Sequence, residues 1–268
     1  MPELPEVETV ARQLREREPI LIGRTIVGVE VGWAKTVATH RPDEFAAYLG
    51  GQRFTGVTRH GKTLKLALSG SPGHLLVHLR MSGRLDVVQR ADATTKHARV
   101  IIHLDDDLAL RFDDARKFGR MWLVHDPAEV LGEKGPDALE VSENEFVDRL
   151  GRKTGRLKSV LLDQSFIAGV GNIYADEALF RAGLRPTRQA ARLKRAGAAR
   201  LYRVIRDVLQ EGIVANGASF DWVYPDGNFQ ENFRVYGRTG KTCVTCGTAI
   251  RRILVGQRAT HFCPNCQK

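Results

Sequence analysis

The first 242 residues of this 268-residue sequence contain no cysteine. Disulfide bonds therefore cannot stabilise most of the chain, which suits a reducing cytoplasm. No stretch approaches the roughly 18 consecutive apolar residues of a membrane helix. The first twenty residues carry charges throughout, which argues against a secretory signal. We therefore expect a cytoplasmic protein that does not associate with membranes, and its length suffices for two domains with cores of their own.

Acidic residues are also scarce, with 31 Asp and Glu against 41 Lys and Arg, so the net charge is +10. The sequence pI is about 9.7. The imbalance is greatest over residues 237–268, where six Lys and Arg occur without any Asp or Glu. A basic chain of this kind is expected to bind an anionic partner, most simply nucleic acid.

All four cysteines lie in this basic tail, as the pairs Cys243/Cys246 and Cys263/Cys266 with sixteen residues between them. Two Cys-x-x-Cys pairs at that distance suit one tetrahedral zinc with four thiolate ligands. A pair of disulfides or a redox couple are the alternatives. A zinc without an open position would be structural and would fold a tail too short to fold otherwise. A zinc-held β-hairpin that presents only cations predicts a phosphate-binding module, with a solvated basic tail as the alternative.

Hydrophobic periodicity divides the rest of the chain into two parts. A leading helix and a short helix at Asp43–Leu49 accompany period-two segments, which predict strands at Thr25–Gly32, Phe54–Leu68, His74–Val88, Arg99–Leu104, Ala109–Phe112 and Met121–Val124. Asp105–Asp107 has the composition of a hairpin turn. Several strands joined by short turns favour a β-sandwich or a barrel.

Beyond a predicted linker at residues 132–137 the pattern becomes helical. The expected helices are Glu143–Leu150, Leu157–Leu162, Ile173–Arg181 and Arg188–Glu211. The turn Gly169-Val170-Gly171-Asn172 precedes the third of them. A glycine-rich turn before a helix fits a phosphate site made of backbone N–H groups, and it fits a tight helix–helix turn equally well.

The first residues, MPELPEVE, have a chemistry of their own. If Met1 is removed, Pro2 becomes a terminal secondary amine, and α-amino groups titrate near pH ~7.7–8.0, so a useful fraction is unprotonated at neutral pH. Attack on a carbonyl-level carbon then gives an iminium, which is cationic and withdraws electrons. Glu3 stands beside it as a candidate acid. The helix predicted from Pro5 onward would aim the amine, whereas the alternative is a frayed terminus without function.

The chain resembles the formamidopyrimidine-DNA glycosylases. The resemblance rests on PELPEVET at Pro2–Thr9 and then, in order, on Gly61-Lys62, Leu79–Gly83, Asp114–Gly119, Gly169–Ala175, Val235–Arg238 and Gln257–Thr260. Each motif is short, but their order and spacing are specific. The resemblance implies a bifunctional DNA glycosylase/AP lyase of the α+β class. Its expected domains are a leading helix with a β-sandwich at 1–133, a helix–two-turn–helix domain at 134–236 and a zinc finger at 237–268.

By this resemblance Pro2 is the nucleophile on the sugar C1′ and Glu3 donates a proton to the sugar. Lys62 assists β-elimination. Arg258 binds the phosphates beside the lesion and serves δ-elimination, although an arginine stays protonated and suits the phosphate role better. Glu6 is expected near the damaged base.

The same resemblance assigns DNA contacts. The expected phosphate contacts are His97, Lys158, Asn172 and Tyr236. An enzyme that acts on C1′ must extrude the nucleotide, and the expected wedge that fills the hole consists of Met81, Arg116 and Phe118. Damaged double-stranded DNA, one structural zinc and a monomeric state complete the expectation.

The chain departs from the family pattern in three places. Ala115 stands where proline is common and Arg99 where a second histidine is common, and we expect Arg99 to keep a phosphate contact. The segment 217–234, which caps the flipped base, is a few residues shorter than usual. Two other functions remain open. One is an endonuclease VIII-like glycosylase for oxidised pyrimidines, which Leu4 and Val7 disfavour, and the other is a non-catalytic DNA-binding protein.

Overall fold

The computed structural model describes residues 1–219 and 227–268. By its internal contacts the chain divides into two units. Unit 1 comprises Met1–Pro2 and Glu6–Glu133, and unit 2 comprises Glu3–Pro5 and Lys134–Lys268. The helices of the described residues are α1 Leu4–Glu16, α2 Pro42–Leu49, α3 Ala128–Leu131, α4 Glu143–Gly151, α5 Leu157–Leu162, α6 Asn172–Arg181 and α7 Arg195–Val214.

Residues 1–219 and 227–268 also form ten strands, and every pairing between these strands is antiparallel. They are β1 Ile26–Val31, β2 Phe54–His60, β3 Thr63–Leu68, β4 His74–His78, β5 Gly83–Gln89, β6 Ala98–Leu104, β7 Leu108–Asp114, β8 Arg120–Val124, β9 Arg251–Val255 and β10 Arg258–Phe262. The predicted α+β class is confirmed.

Unit 1 contains two four-stranded sheets, ordered β1-β6-β7-β5 and β2-β3-β4-β8. Buried and less buried residues alternate along strands such as β3, as expected for sheets with one face on a core. The helix α1 buries one apolar stripe of Val7, Val10, Ala11 and Leu14. This architecture is the predicted β-sandwich with a leading helix.

Two of the predicted strands were wrong in extent. Phe54–Leu68 is a hairpin of β2 and β3, because Gly61 with φ 55° turns the chain. His74–Val88 is broken at residues 79–82, where Arg80 has φ 58° and Gly83 lies so close to the Leu79 carbonyl that a Cβ would clash. In the second segment, apolar residues alternate without interruption from Leu75 to Val87, so this pattern could not reveal the break at residues 79–82. The turn before β7 was predicted correctly, with Asp106 and Asp107 both at positive φ.

Unit 2 is helical around one core to which Leu4, α4, α5, α6 and α7 contribute. The predicted helix Arg188–Glu211 was wrong at its start, since α7 begins at Arg195. The residues before α7 form backbone hydrogen bonds with the segment around the start of α5 instead of continuing the helix. The Leu157 N–H donates to the Arg188 carbonyl, and the Ala190 N–H donates to the Gly155 carbonyl. The strands β9 and β10 form the hairpin of the C-terminal part.

The predicted linker at 132–137 contains the boundary between the units. Its second half is packed rather than loose, because the Gly135 N–H donates to the Gln164 carbonyl and a Cβ at Gly135 would lie 2.6 Å from the Phe166 oxygen. The predicted capping segment 217–234 includes residues 220–226, which lie outside the described residues. Among the residues described, no helix is long and apolar enough to cross a membrane.

Candidate active site

The N-terminal residues of the chain stand at the start of α1. Met1 is exposed and Pro2 is buried. With Met1 attached, the Pro2 nitrogen is part of a peptide bond and cannot attack a carbon atom. The nucleophile that the sequence predicts therefore requires removal of Met1.

Glu3 is buried in unit 2, at the N-terminus of α6. The Ile173 N–H donates to its Oε1 atom at 3.0 Å and the Tyr174 N–H to its Oε2 atom at 3.4 Å. A helix N-terminus has unpaired N–H groups and a positive partial charge, so it is a favourable place for a carboxylate.

The glycines of the turn before α6 make room for this arrangement. A Cβ at Gly171 would lie 2.2 Å from the Glu3 carboxyl carbon, and one at Gly169, with φ 112°, would lie 2.5 Å from the Leu4 side chain. The Leu4 N–H also donates to the Gly169 carbonyl at 3.1 Å. The sequence left open whether this turn binds phosphate. In the structure, the anion on the α6 N–H groups is the protein's own Glu3.

Lys62 lies at the tip of the β2–β3 hairpin, and its side chain is buried. Glu6 is buried on α1. Glu8, two residues further on, accepts from Arg15 at 2.9 Å and from Arg59 at 2.8 Å. Because Arg59 belongs to β2, Glu8 fixes α1 to the hairpin that carries Lys62.

The three predicted wedge residues lie on two loops of unit 1. Met81 is 42% exposed and Phe118 is 47% exposed, so neither packs in the core. Arg116 is exposed as well, and its guanidinium lies 4.9 Å from the centre of the Phe118 ring. Large apolar side chains at a surface are suited to contact with a partner.

Buried Asp114 connects the two wedge loops. Its carboxylate accepts from the Ser82 hydroxyl, from the Arg116 N–H at 3.2 Å and from the Gly119 N–H at 2.7 Å. Gly119 is required at its position because a Cβ there would lie 2.3 Å from the Phe112 ring. The backbone under the exposed wedge is therefore fixed.

His97 and Arg99 lie beside these loops. His97 is half-buried, and its carbonyl accepts from the Asp114 N–H at 2.9 Å. The Arg99 Nε donates to the Asp114 carbonyl at 2.8 Å. Arg99 was expected to contact a phosphate, but its Nε is used to hold the wedge loop.

Lys158 has buried partners that the sequence did not predict. It was expected to contact a phosphate, but its side chain is 0% exposed and its Nζ lies 2.7 Å from Asp176 Oδ1 and 2.8 Å from the Asn172 carbonyl. Burial lowers the pKa of the Lys158 ammonium, and the Asp176 carboxylate opposes that shift. Lys158 presents no charge at the surface.

Asn172 and Tyr236 lie next to this pair. The Asn172 amide donates to the Ala259 carbonyl at 3.1 Å and shares a hydrogen bond with the Tyr236 side chain. Burial raises the pKa of the Tyr236 hydroxyl, and the Asn172 bond opposes the rise. The structure therefore brings Lys158, Asn172 and Tyr236 into one polar cluster.

Arg258 is exposed at the start of β10, directly after Gln257, whose φ of 61° closes the hairpin turn. Its neighbour Ala259 is the residue held by Asn172. An exposed guanidinium at a hairpin tip can reach a phosphate outside the protein.

The four cysteines form the predicted metal centre. Their sulfur atoms all lie within 4.8 Å of one another, with Cys243–Cys266 at 3.9 Å and Cys246–Cys263 at 3.5 Å. These separations are too long for disulfides, whose bond is about 2.05 Å. Ligands at about 2.3 Å from a tetrahedral zinc lie about 3.8 Å apart, so the site fits one structural zinc.

The two buried carboxylates of α6, Asp176 and Glu177, were not predicted from the sequence. Asp176 contacts Lys158 and accepts from the His261 N–H at 2.9 Å. Glu177 accepts from the N–H groups of Arg234, Val235 and Tyr236 at 2.8–3.1 Å. Burial raises the pKa of Glu177, and these three N–H groups oppose the rise. Two adjacent acids inside an otherwise apolar helix were the signal in the sequence.

Three family descriptions match successive parts of the chain. Residues 1–121 match the Formamidopyrimidine-DNA glycosylase N-terminal domain and residues 133–222 its H2TH domain. Residues 240–268 match the zinc finger found in FPG and IleRS. Together these three ranges account for most of the sequence.

Whole proteins give the same result. The formamidopyrimidine-DNA glycosylase of Solibacter usitatus is 42% identical over 272 residues, with 100% of both chains covered. That of Pelotomaculum thermopropionicum is 45% identical over 281 residues, covering 100% of this chain and 99% of the relative. Lactococcus lactis Fpg, solved with DNA containing N7-benzyl-Fapy-dG, has a TM-score of 0.90 at 34% identity with both chains fully covered. The chain therefore belongs to the formamidopyrimidine-DNA glycosylase family.

Proposed function

We propose that this protein removes oxidised purines, both formamidopyrimidines and 8-oxoguanine, from duplex DNA and then cleaves the resulting abasic strand. The family is one of base excision repair glycosylases with AP lyase activity, and Lactococcus lactis Fpg has been solved with lesion-containing DNA. The observation that carries the proposal is the position of Glu3, the residue directly after Pro2. Its carboxylate is fixed by the N–H groups of Ile173 and Tyr174.

The chemistry follows from the free amine of Pro2. After Met1 is removed, the Pro2 nitrogen attacks the sugar C1′, and the bond from C1′ to the damaged base breaks, the base leaving with the bonding electrons. Glu3 protonates the ring oxygen O4′ as the C1′–O4′ bond breaks, and the Pro2 nitrogen loses its proton, which leaves a C1′=N double bond to Pro2. The iminium that forms is cationic and acidifies the C2′ proton. Loss of that proton expels the 3′ phosphate, and a second elimination expels the 5′ phosphate.

The remaining candidates are assigned supporting roles. Lys62 assists the first elimination, and Arg258 binds the phosphates beside the lesion and serves the second. Met81, Arg116 and Phe118 fill the hole left by the flipped nucleotide. Glu6 lies near the base, and the proposed phosphate contacts are His97, Asn172 and Tyr236. The zinc held by the four cysteines supports the finger and takes no part in bond breaking.

We further propose the division into domains at 1–133, 134–236 and 237–268, and a monomer that acts in the cytosol. One chain carries both an exposed wedge and the exposed Arg258, which supports a one-to-one complex with duplex DNA. The predicted capping role of 217–234 belongs to this proposal as well.

Reduction with borohydride tests the nucleophile. Protein lacking Met1 is incubated with a duplex containing a formamidopyrimidine or 8-oxoguanine and reduced, and we expect a covalent adduct that maps to Pro2. The matched control carries one extra residue before Pro2, which makes its nitrogen an amide and should abolish the adduct. An adduct that maps only to a lysine would refute the assignment. A duplex with an oxidised pyrimidine, included in parallel, tests the endonuclease VIII-like alternative.

A further inference from the structure

The strand β10 is fastened to the helix α6 by two hydrogen bonds to its backbone. The Asn172 amide donates to the Ala259 carbonyl at 3.1 Å, and the His261 N–H donates to Asp176 Oδ2 at 2.9 Å. Four residues along a helix rise about 6 Å, and two residues along a strand rise about 6.6 Å. The two bonds therefore match in spacing and fix one register of the strand on the helix.

This register determines where Arg258 lies. A shift of β10 by one residue would break both bonds and would turn the side chain of Arg258 to the opposite face of the hairpin. Arg258 is the residue before Ala259, so only one peptide unit separates the exposed guanidinium from the fastened carbonyl.

Lys158 connects the two fastening residues. Its Nζ donates to Asp176 Oδ1 at 2.7 Å and to the Asn172 carbonyl at 2.8 Å, and both Lys158 and Asp176 have fully buried side chains. With one carboxylate oxygen on Lys158, Asp176 offers the other to His261, whose ring Nδ1 also lies 3.2 Å away. The pair thus orients the acceptor that receives the N–H of β10.

A buried ion pair is weak evidence for stability, since apolar residues of similar size often serve a core equally well. Apolar residues here would hold α5 against α6 but would leave the His261 N–H without its acceptor. Unlike an apolar core, the ion pair holds the Asp176 carboxylate in place as an acceptor for the His261 N–H of the zinc finger.

We propose that Lys158 and Asp176 are positioning residues that set the register of β10 on α6 and thereby place Arg258 for the second elimination. The inference rests on the role proposed above for Arg258. By this proposal Lys158, which was expected to contact a phosphate, affects the reaction indirectly, by fixing the position of β10 in the zinc finger.

The test uses full-length zinc-containing protein and a duplex with a ready-made abasic site. Under single-turnover conditions the product of the first elimination is separated from that of both eliminations. A misplacement of about 1 Å can lower a rate by about 100-fold, so Asp176→Asn should slow the second elimination by about 10-fold or more. The first elimination should change less. A smaller amount of folded enzyme would lower both rates together, and so would leave the product ratio unchanged.

A double-mutant comparison connects the effect to Arg258. Arg258→Ala alone should also raise the share of first-elimination product, and Asp176→Asn should add little in the Arg258→Ala background because both act at one point. The matched control is Asp137→Asn, another buried carboxylate of unit 2, whose Oδ1 accepts from the Leu139 N–H. This control should lower stability and leave the product ratio as in the unmodified protein.

The product ratios distinguish a failure of the positioning role from a failure of the role proposed for Arg258. If Arg258→Ala changes the product ratio and Asp176→Asn does not, or if the two effects add fully, the positioning role is refuted and the role of Arg258 stands. If Arg258→Ala leaves the ratio unchanged, its proposed role fails and the inference fails with it. Should Asp176→Asn not fold, Lys158→Met/Asp176→Leu keeps a packed core without the acceptor, and its product ratio decides.

Discussion

The two units use their candidate functional side chains in opposite ways. In unit 1 the wedge residues Met81 and Phe118 are exposed, and buried Asp114 holds only the backbone beneath the loops. In unit 2 the carboxylates of Asp176 and Glu177 are fully buried and hold backbone N–H groups. The exposed set acts by touching a partner and the buried set by fixing a frame. Substitutions in the first should change activity alone, and those in the second should change stability as well.

Removal of the zinc should give the largest effect and should be confined to unit 2. Cys246→Ala leaves three thiolates, and apparent zinc-binding free energies of small domains are about 10–16 kcal/mol, so the finger should unfold. Exposed Arg258 would lose its support, and DNA affinity should fall. Metal analysis, DNA titration and hydrogen exchange measure the three consequences.

The control for this prediction is Thr245→Ala, within the same Cys-x-x-Cys pair, which should keep the metal. Unit 1 should keep the exchange protection of its strands, because none of its residues is a zinc ligand. Active protein that contains no zinc, or loss of protection in unit 1, would contradict the comparison.

The second largest effect is expected for Glu177→Ala. This substitution leaves the N–H groups of Arg234, Val235 and Tyr236 without their acceptor, and an unsatisfied buried group costs about 1–3 kcal/mol, so the loss of stability should reach about 3 kcal/mol or more. Urea unfolding measures it. The control is Glu231→Ala, which replaces an exposed acid three residues before Arg234 in the chain. It should change the free energy of unfolding by less than about 0.5 kcal/mol. Equal costs for both would mean that the three bonds do not stabilise the segment.

Local patterns in the sequence predicted the elements and the exposed residues well. Alternation identified the strands, the apolar stripe identified most of α7, and the two Cys-x-x-Cys pairs identified the metal centre, because each depends on neighbours in the chain. The exposure of Met81 and Phe118 agrees with the wedge role that the family resemblance implies, although Met81 lay within the predicted strand His74–Val88. Roles as DNA contacts stay predictions for His97, Lys158, Asn172 and Tyr236.

Partners distant in the sequence could not be predicted in this way. Nothing near Lys158 in the chain shows that Asp176 will bury it, and nothing near Gly171 shows that Glu3 will occupy the space left by its missing Cβ. Both depend on how α6 packs. The same limitation produced the wrong start of α7, since the backbone of Arg188 is bonded to Leu157 rather than to a helical neighbour.

In unit 1, the substitution Phe118→Ala tests whether an exposed wedge residue affects activity without affecting stability. The ring is exposed, so its loss should change the free energy of unfolding by less than about 0.5 kcal/mol. Excision from duplex DNA should nevertheless slow by about 10-fold, because a wedge offsets an unstacking cost of a few kcal/mol. Single-stranded DNA has no stack to fill, so its cleavage should change little.

Tyr48→Ala is the matched control for the wedge, since this aromatic residue of unit 1 is 48% exposed and lies on α2, outside the wedge loops. It should leave duplex excision unchanged. Equal losses for Phe118→Ala on duplex and single strands would show that the ring does not act as a wedge.

The smallest effect is expected where unit 2 is exposed. Arg181 on α6 donates to Glu211 on α7 at 2.6 Å, and this bond lowers the pKa of Glu211, whose side chain is 48% exposed. A carboxyl with a lowered pKa in the folded state stabilises the fold above its unfolded pKa, and this contribution is lost as the pH falls through the lowered value. Exposed pairs contribute about 0.2–1 kcal/mol, so Glu211→Gln should cost no more than that at neutral pH. Urea unfolding at about pH 7 and about pH 3 should show the cost shrinking in acid. A cost that stayed the same in acid would have to come from packing between α6 and α7, and the contrast between buried and exposed carboxylates would then not hold here.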